Sequence, residues 1–105
     1  MSDMTPEIPL ETYAAQREAG VTVDVRERSE YAQAHVPGAR LMPMGELSAR
    51  LDELDRRRPV HVICASGNRS KAMTSLLRGA GFDAVSVAGG TRAWIESGRP
   101  VGAGL

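Results

Sequence analysis

The fold of this chain is most constrained by residues 59–81, which read PVHVICASGNRSKAMTSLLRGAG. The apolar run at 60–64 predicts a buried strand, and Pro59 suits its start because proline cannot continue through the middle of a sheet strand. The apolar spacing over 69–79 predicts an amphipathic helix that ends at a pair of glycines. A strand that passes through a short polar loop into a helix is part of a βαβ unit.

Similar patterns recur outward from this stretch. Apolar, β-branched runs at 21–25 and 84–88 predict two more strands, and 39–42 is a weaker candidate. Predicted helices cover 10–18, 29–34 with Ser29 as its cap, 46–56, and a last segment capped by Thr91. Strands that alternate with helices indicate an α/β fold with a mostly parallel sheet covered on both faces. Ligands bind beyond the carboxyl ends of such strands, so we expect Cys64 at the mouth of a site.

Length and hydrophobicity indicate one domain. The 105 residues, 42% of them hydrophobic, are enough for a single core. We expect one domain over 1–105 with its core at about 8–100. The polar or glycine-rich ends, 1–6 and 102–105, are expected to be frayed.

Charge and cysteine content exclude several functions. The 13 basic and 13 acidic side chains balance, which argues against nucleic-acid binding. No apolar stretch is long enough for a membrane span, and no secretory leader is recognisable, so we expect a cytoplasmic protein. One cysteine allows no internal disulfide and no cysteine-built metal site, so Cys64 matters, if at all, as a thiol.

The loop from Cys64 to Ser70 carries the features of a thiolate site. A lone cysteine at a strand end is most often a small buried hydrophobe. Here it is followed by Ser-Gly-Asn-Arg-Ser and a helix, whose first turn offers free N–H groups and a positive dipole end. Gly67 allows the loop backbone a positive φ, and Arg69 adds a nearby charge. These features predict a lowered pKa for Cys64 and a nucleophilic thiolate.

Four motifs in order make the chain similar to single-domain rhodaneses, a family of sulfurtransferases. The motifs are VDVRE at 23–27 with Glu30-Tyr31, HVPGA at 35–39, CASGNRS at 64–70, and a closing set of Gly89-Gly90, Ala93-Trp94, Gly98 and Pro100. One departure is Ala34, where the family often has glycine.

The resemblance implies a rhodanese-like three-layer fold around a five-stranded sheet. It implies that Cys64 takes a sulfane sulfur from a small anionic donor such as thiosulfate, and that an external thiol, protein or cyanide accepts it. The amides of the loop would bind the donor, with Arg69 attracting it; these loop residues are Ala65, Ser66, Gly67, Asn68, Arg69 and Ser70. Asp24, Arg26 and His35 would support the site structurally, and no cofactor or metal is implied.

Two alternatives remain at this point. Related phosphatases and arsenate reductases use Cys-x-x-x-x-x-Arg, whereas this chain has the shorter Cys-x-x-x-x-Arg from Cys64 to Arg69. We therefore rank them below sulfur transfer. A sulfur carrier without turnover, or a module that docks a partner, fits the same loop.

Overall fold

A computed structural model describes residues 5–105, in which five strands form one parallel sheet. The strands are β1 (Glu7–Ile8), β2 (Val21–Asp24), β3 (Arg40–Leu41), β4 (Val60–Ile63) and β5 (Ala84–Val87), in the order β1-β5-β4-β2-β3. The helices are α1 (Leu10–Gln16), α2 (Arg28–Gln33), α3 (Asn68–Gly79) and α4 (Gly90–Glu96). The predicted α/β fold with a mostly parallel sheet is confirmed. Every helix in the described range is too short or too polar to cross a membrane.

Alternate residues of the central strand β4 face opposite layers. Val62 packs in a cluster with Leu77 of α3, whereas Ile63 packs with Tyr13 of α1 and Trp94 of α4. All five side chains are at most 3% exposed. The sheet is thus covered on both faces, and the three-layer arrangement is confirmed.

The helix predicted over 46–56 is wrong. Residues Leu47–Glu53 form 3₁₀ turns, and the run is broken at Arg50, where φ is −118° and ψ is 15°. Leu47 and Leu54 are nevertheless buried. Short 3₁₀ turns can bring the same leucines to one face, so the apolar spacing did not distinguish them from an α-helix.

Two predicted helix caps are also wrong. The cap of α2 is Glu27, which forms a reciprocal capping box with Glu30, while Ser29 lies inside the helix. The cap of α4 is Gly89, in a left-handed conformation with φ of 77°, and Thr91 lies one residue inside that helix. Serine and threonine are favoured at helix N-caps, so the sequence predicts caps at Ser29 and Thr91, two residues after the caps that the structure has.

Parts of the expected frayed ends are held in place. Pro6 accepts a hydrogen bond from the backbone of β5. Gly102 exchanges two backbone hydrogen bonds with His35, and the amide of Gly104 donates to α2 at 2.7 Å. Each of these positions pairs with backbone distant in sequence. Residues 1–4 lie outside the described range.

Candidate active site

Cys64 lies directly after β4, at the carboxyl end of the parallel sheet. It is a free thiol and only 1% exposed. Its Sγ accepts a hydrogen bond from the amide of Gly67 at 3.1 Å. The sulfur therefore lies beneath the loop rather than in open solvent.

The loop backbone is anchored through its carbonyl groups. The backbone amide of Thr91 donates to the carbonyl of Cys64 at 2.8 Å, and the backbone amide of Arg92 donates to that of Ala65 at 3.1 Å. This contact needs glycine at the start of α4, because a Cβ on Gly90 would lie 2.4 Å from the Cys64 carbonyl oxygen. The first turn of α4 thus fixes the loop.

Gly67 has a φ of 114° and is the cap of α3. Side chains rarely adopt this left-handed region, so glycine lets the chain turn its amide toward the sulfur. Ser66 and Asn68, on either side of it, are exposed at the loop surface. The loop between β4 and α3 has four residues, Cys64 to Gly67. The amide of Ser70, in the first turn of α3, also donates to the sulfur.

Ser70 and Ser86 form a buried hydroxyl pair beside the sulfur. The Oγ of Ser70 lies 3.4 Å from the Sγ of Cys64 and 2.7 Å from the Oγ of Ser86. Ser70 also donates to the carbonyl of Gly67 at 3.1 Å. Both serines are 0% exposed.

These surroundings set the charge state of the thiol. Burial raises the pKa of Cys64, because a thiolate loses solvation there. Hydrogen bonds from the Ser70 hydroxyl and from the amides of Ser70, Gly67 and Ser66 outweigh that effect and bring the pKa below its ordinary value. The direction agrees with the prediction from sequence, and the hydroxyl of Ser70 leads the causes that lower it.

Arg69 is not a free charge at the site. Its two terminal nitrogens bind the two carboxylate oxygens of Glu30, each at 2.8 Å. The hydrogen bonds from Arg69 lower the pKa of Glu30 from 4.5 to about 2, and Glu30 in turn raises the pKa of Arg69. Arg69, which the sequence predicts to attract the donor, therefore carries a charge that is already paired with a carboxylate.

The predicted support residues hold α2 against the sheet. Arg26 pairs with Asp24 at 2.8 Å, where both side chains are almost fully buried. The same guanidinium donates to the carbonyl of Ala34, just past α2, at 2.8 Å. Because Glu30 lies on α2, this arrangement also positions the partner of Arg69.

His35 has structural contacts. Its Nδ1 lies 2.8 Å from the carbonyl oxygen of Tyr31, and its ring stacks on the Tyr31 ring with centroids 3.7 Å apart. Its backbone pairs with Gly102.

An open cleft of about 290 Å³ adjoins the loop at Ala65. The other lining residues are Arg26, Thr91, Arg92, Ile95 and Glu96. The described residues contain no cluster of three potential metal ligands.

The sequence did not reveal two of the residues at this site. Ser86 is a polar residue within an apolar strand, and this is the local signal in the sequence that points to it. Glu30 lies in the first motif, where no neighbouring residue points to Arg69. Each reaches the loop from an element distant in sequence, so local patterns did not connect them to Cys64.

Comparison with known proteins places this fold and loop in a family. The chain matches the Rhodanese-like domain over residues 9–97. It is 37% identical over 93 residues to YrkF of Bacillus subtilis (strain 168), described as a candidate sulfur carrier protein; the match covers 85% of this chain and 50% of YrkF. The chain therefore belongs to the rhodanese-like family, and it spans half the length of that relative.

Two crystal structures show the same fold. A rhodanese-related protein from Thermoplasma volcanium superposes with a TM-score of 0.88 at 34% identity, covering 92% of this chain and 97% of that one. A thiosulfate sulfurtransferase from Pseudomonas aeruginosa superposes with a TM-score of 0.86 at 31% identity, covering 96% of this chain and 21% of that one.

Proposed function

We propose that this chain is a sulfurtransferase that carries sulfur on Cys64. The donor is a small anion with a sulfane sulfur, such as thiosulfate, and the acceptor is cyanide, a small thiol or a protein thiol. The observation that carries the proposal is a single cysteine with a lowered pKa, held beneath a loop of amide donors at the end of β4. Family membership and the likeness to a thiosulfate sulfurtransferase support it.

The reaction has two steps. The Cys64 thiolate attacks the sulfane sulfur of thiosulfate, a bond to Sγ forms, and sulfite leaves with the electron pair of the broken sulfur–sulfur bond. An acceptor then attacks the outer sulfur of the persulfide, and Sγ leaves as a thiolate. No external oxidant or reductant takes part, since each step moves one sulfur atom between nucleophiles.

The amides of residues 65–70 are the proposed donors to the anion and to the outer sulfur. Since Glu30 neutralises Arg69, backbone dipoles rather than a free guanidinium would supply the positive field. The cleft beside Ala65 is the proposed approach for the acceptor. A cytoplasmic setting, where thiols stay reduced, would supply such acceptors and forms part of the proposal.

Turnover with small substrates tests the enzymatic proposal. We expect repeated transfer of sulfur from thiosulfate to cyanide, measured as thiocyanate, and no turnover in the Cys64→Ser variant. Turnover that survives this substitution would contradict the proposal, because the chain has no other cysteine.

A second candidate is a sulfur carrier that transfers once to a partner protein. The match to YrkF favours it, since YrkF is described as a candidate carrier. A carrier would load one sulfur on Cys64 but would show no repeated turnover with small acceptors. The ratio of thiocyanate formed to protein present distinguishes the two.

A further inference from the structure

Ser86 carries a buried hydroxyl that has no role in the reaction as proposed. It lies in β5, with its Oγ 2.7 Å from that of Ser70 in α3. Ser70 in turn lies 3.4 Å from the sulfur of Cys64. A continuous hydroxyl chain thus connects the sheet to the sulfur, and its members are at most 1% exposed.

The number of hydrogens restricts how the hydrogen bonds among Ser86, Ser70 and Cys64 can be arranged. The Ser70 hydroxyl has one hydrogen, which can go to the carbonyl of Gly67 or to Sγ. When Cys64 is a thiol, its S–H donates to Ser70, which then donates to Gly67. When Cys64 is a thiolate, Ser70 must donate to the sulfur instead. Both arrangements leave Ser70 able to accept the hydrogen of Ser86.

We propose that Ser86 is a positioning residue for the reactive sulfur: by donating to Ser70, it holds and polarises the Ser70 hydroxyl and so strengthens the hydrogen bond from that hydroxyl to Sγ whenever the sulfur carries negative charge. The proposal rests on the proposed sulfur transfer for its role in catalysis. Its effect on the thiolate holds independently of that function.

The two half-reactions depend on this hydrogen differently. In the persulfide, Sγ has two bonds and the charge resides on the outer sulfur. During discharge the bond between the two sulfurs breaks and its electron pair returns to Sγ, where Ser70 and Gly67 donate. The stabilisation is stronger in the transition state than in the persulfide, so discharge should depend on Ser86. During loading, stabilising the attacking thiolate also lowers its nucleophilicity, which offsets part of the gain.

The charged groups near the Cys64 loop come from several elements. Glu7 of β1 lies beside Gly67 and pairs with Lys71 of α3 at 3.8 Å, and Arg92 and Glu96 of α4 line the cleft at Ala65. Arg69 of α3 is bound by Glu30 of α2, and Arg26 is bound by Asp24 at the end of β2. With a pKa of about 2, Glu30 stays ionised at neutral pH. Alkylation requires the thiolate, so we expect its pH dependence to follow the ionisation of Cys64.

The test compares Ser86→Ala with Thr74→Val in the full chain. Thr74 is the matched control, because it is a 0% exposed hydroxyl of α3 whose Oγ1 has no hydrogen-bond partner. In Ser86→Ala we expect the alkylation profile of Cys64 to shift to higher pH. We expect persulfide discharge in a single turnover to slow by about threefold to tenfold, the worth of one hydrogen bond. Thr74→Val should match the wild type in both.

A double variant tests whether Ser86 acts through Ser70. In a Ser70→Ala background, Ser86→Ala should add nothing to the shift. Additive effects, an unshifted profile in Ser86→Ala, or an equal shift in Thr74→Val would overturn the inference. Ser86→Thr retains the hydroxyl and should restore the wild-type profile; if it does not, the hydroxyl is not the cause. A wild-type chain that never loads sulfur refutes the proposed function, whereas the alkylation profiles decide the role of Ser86 alone.

Discussion

Gly67 shows how a single residue controls the sulfur. Its amide donates to Sγ, and its φ of 114° is a conformation that side chains rarely adopt. A Cβ there would meet no atom closer than 3.7 Å, so strain rather than a clash limits substitution. The residue therefore couples backbone strain to the charge state of Cys64.

Replacing Gly67 with alanine should weaken both the fold and the thiolate. We expect Gly67→Ala to lower the free energy of unfolding by about 1–2 kcal/mol, the cost of a left-handed side chain. It should also raise the pKa of Cys64, as followed by alkylation against pH. Gly98→Ala is the control, because Gly98 has a φ of 81° and no neighbour within 4 Å of its Cβ position. Similar destabilisation in both with an unshifted Cys64 would contradict the role given to Gly67.

At the scale of elements, α2 supports the loop through the pair of Glu30 and Arg69. Arg26 ties α2 to the end of β2, and α2 presents Glu30 to the guanidinium of Arg69. The site thus depends on a helix that contributes no group to the sulfur itself.

This pair predicts a defined acid sensitivity. The pKa of Glu30 is lowered from 4.5 to about 2 in the folded state, chiefly by the hydrogen bonds from Arg69. Its contribution to stability is complete above the unfolded pKa and is lost as pH falls toward 2. As the pH is lowered from 4.5 to about 2, the free energy of unfolding of the wild type should therefore fall more steeply than that of Glu30→Gln. Urea unfolding at a series of pH values measures this.

The control for this comparison is Glu11→Gln, which removes an exposed carboxylate of α1. The free energy of unfolding of Glu11→Gln should change with pH as steeply as that of the wild type. If that of Glu30→Gln also changes equally steeply, the ion pair adds nothing to stability.

The sequence predicted those elements whose signals are local. The apolar run of β4, the small-residue loop and the amphipathic α3 lie together in 59–81, so their order was predicted. The two-residue strand β1 was not recognised, because it exists through its pairing with β5.

The same distinction applies to the site. Cys64 and its loop are contiguous and were predicted. Ser86 reaches Ser70 across 16 positions, and Glu30 reaches Arg69 across 39. Such contacts follow from the packing of the sheet and helices, which no short motif encodes.

At the scale of the whole molecule, the carboxyl-terminal residues belong to the fold. Removing 102–105 eliminates the two bonds between Gly102 and His35 and the bond from Gly104 to α2. We expect the free energy of unfolding to fall by about 1–3 kcal/mol, from the usual net value of such hydrogen bonds. Removing Leu105 alone, which is 84% exposed, is the control. Equal urea midpoints for the two truncations would contradict the structural role of this segment.

The single cysteine also limits how sulfur would leave in the proposed reaction. No second thiol in the chain could resolve the proposed Cys64 persulfide, so the proposal requires an outside acceptor. A loaded protein freed of donor should therefore keep its sulfur until a thiol or cyanide is added.

The intact mass of the denatured protein shows whether Cys64 takes up and releases sulfur. After thiosulfate treatment the wild type should gain one sulfur atom, and it should lose that atom when cyanide or a thiol is added. The Cys64→Ser variant should gain nothing. A sulfur gain that persists in this variant, or a wild type that gains none from any sulfane donor, would contradict sulfur transfer through Cys64.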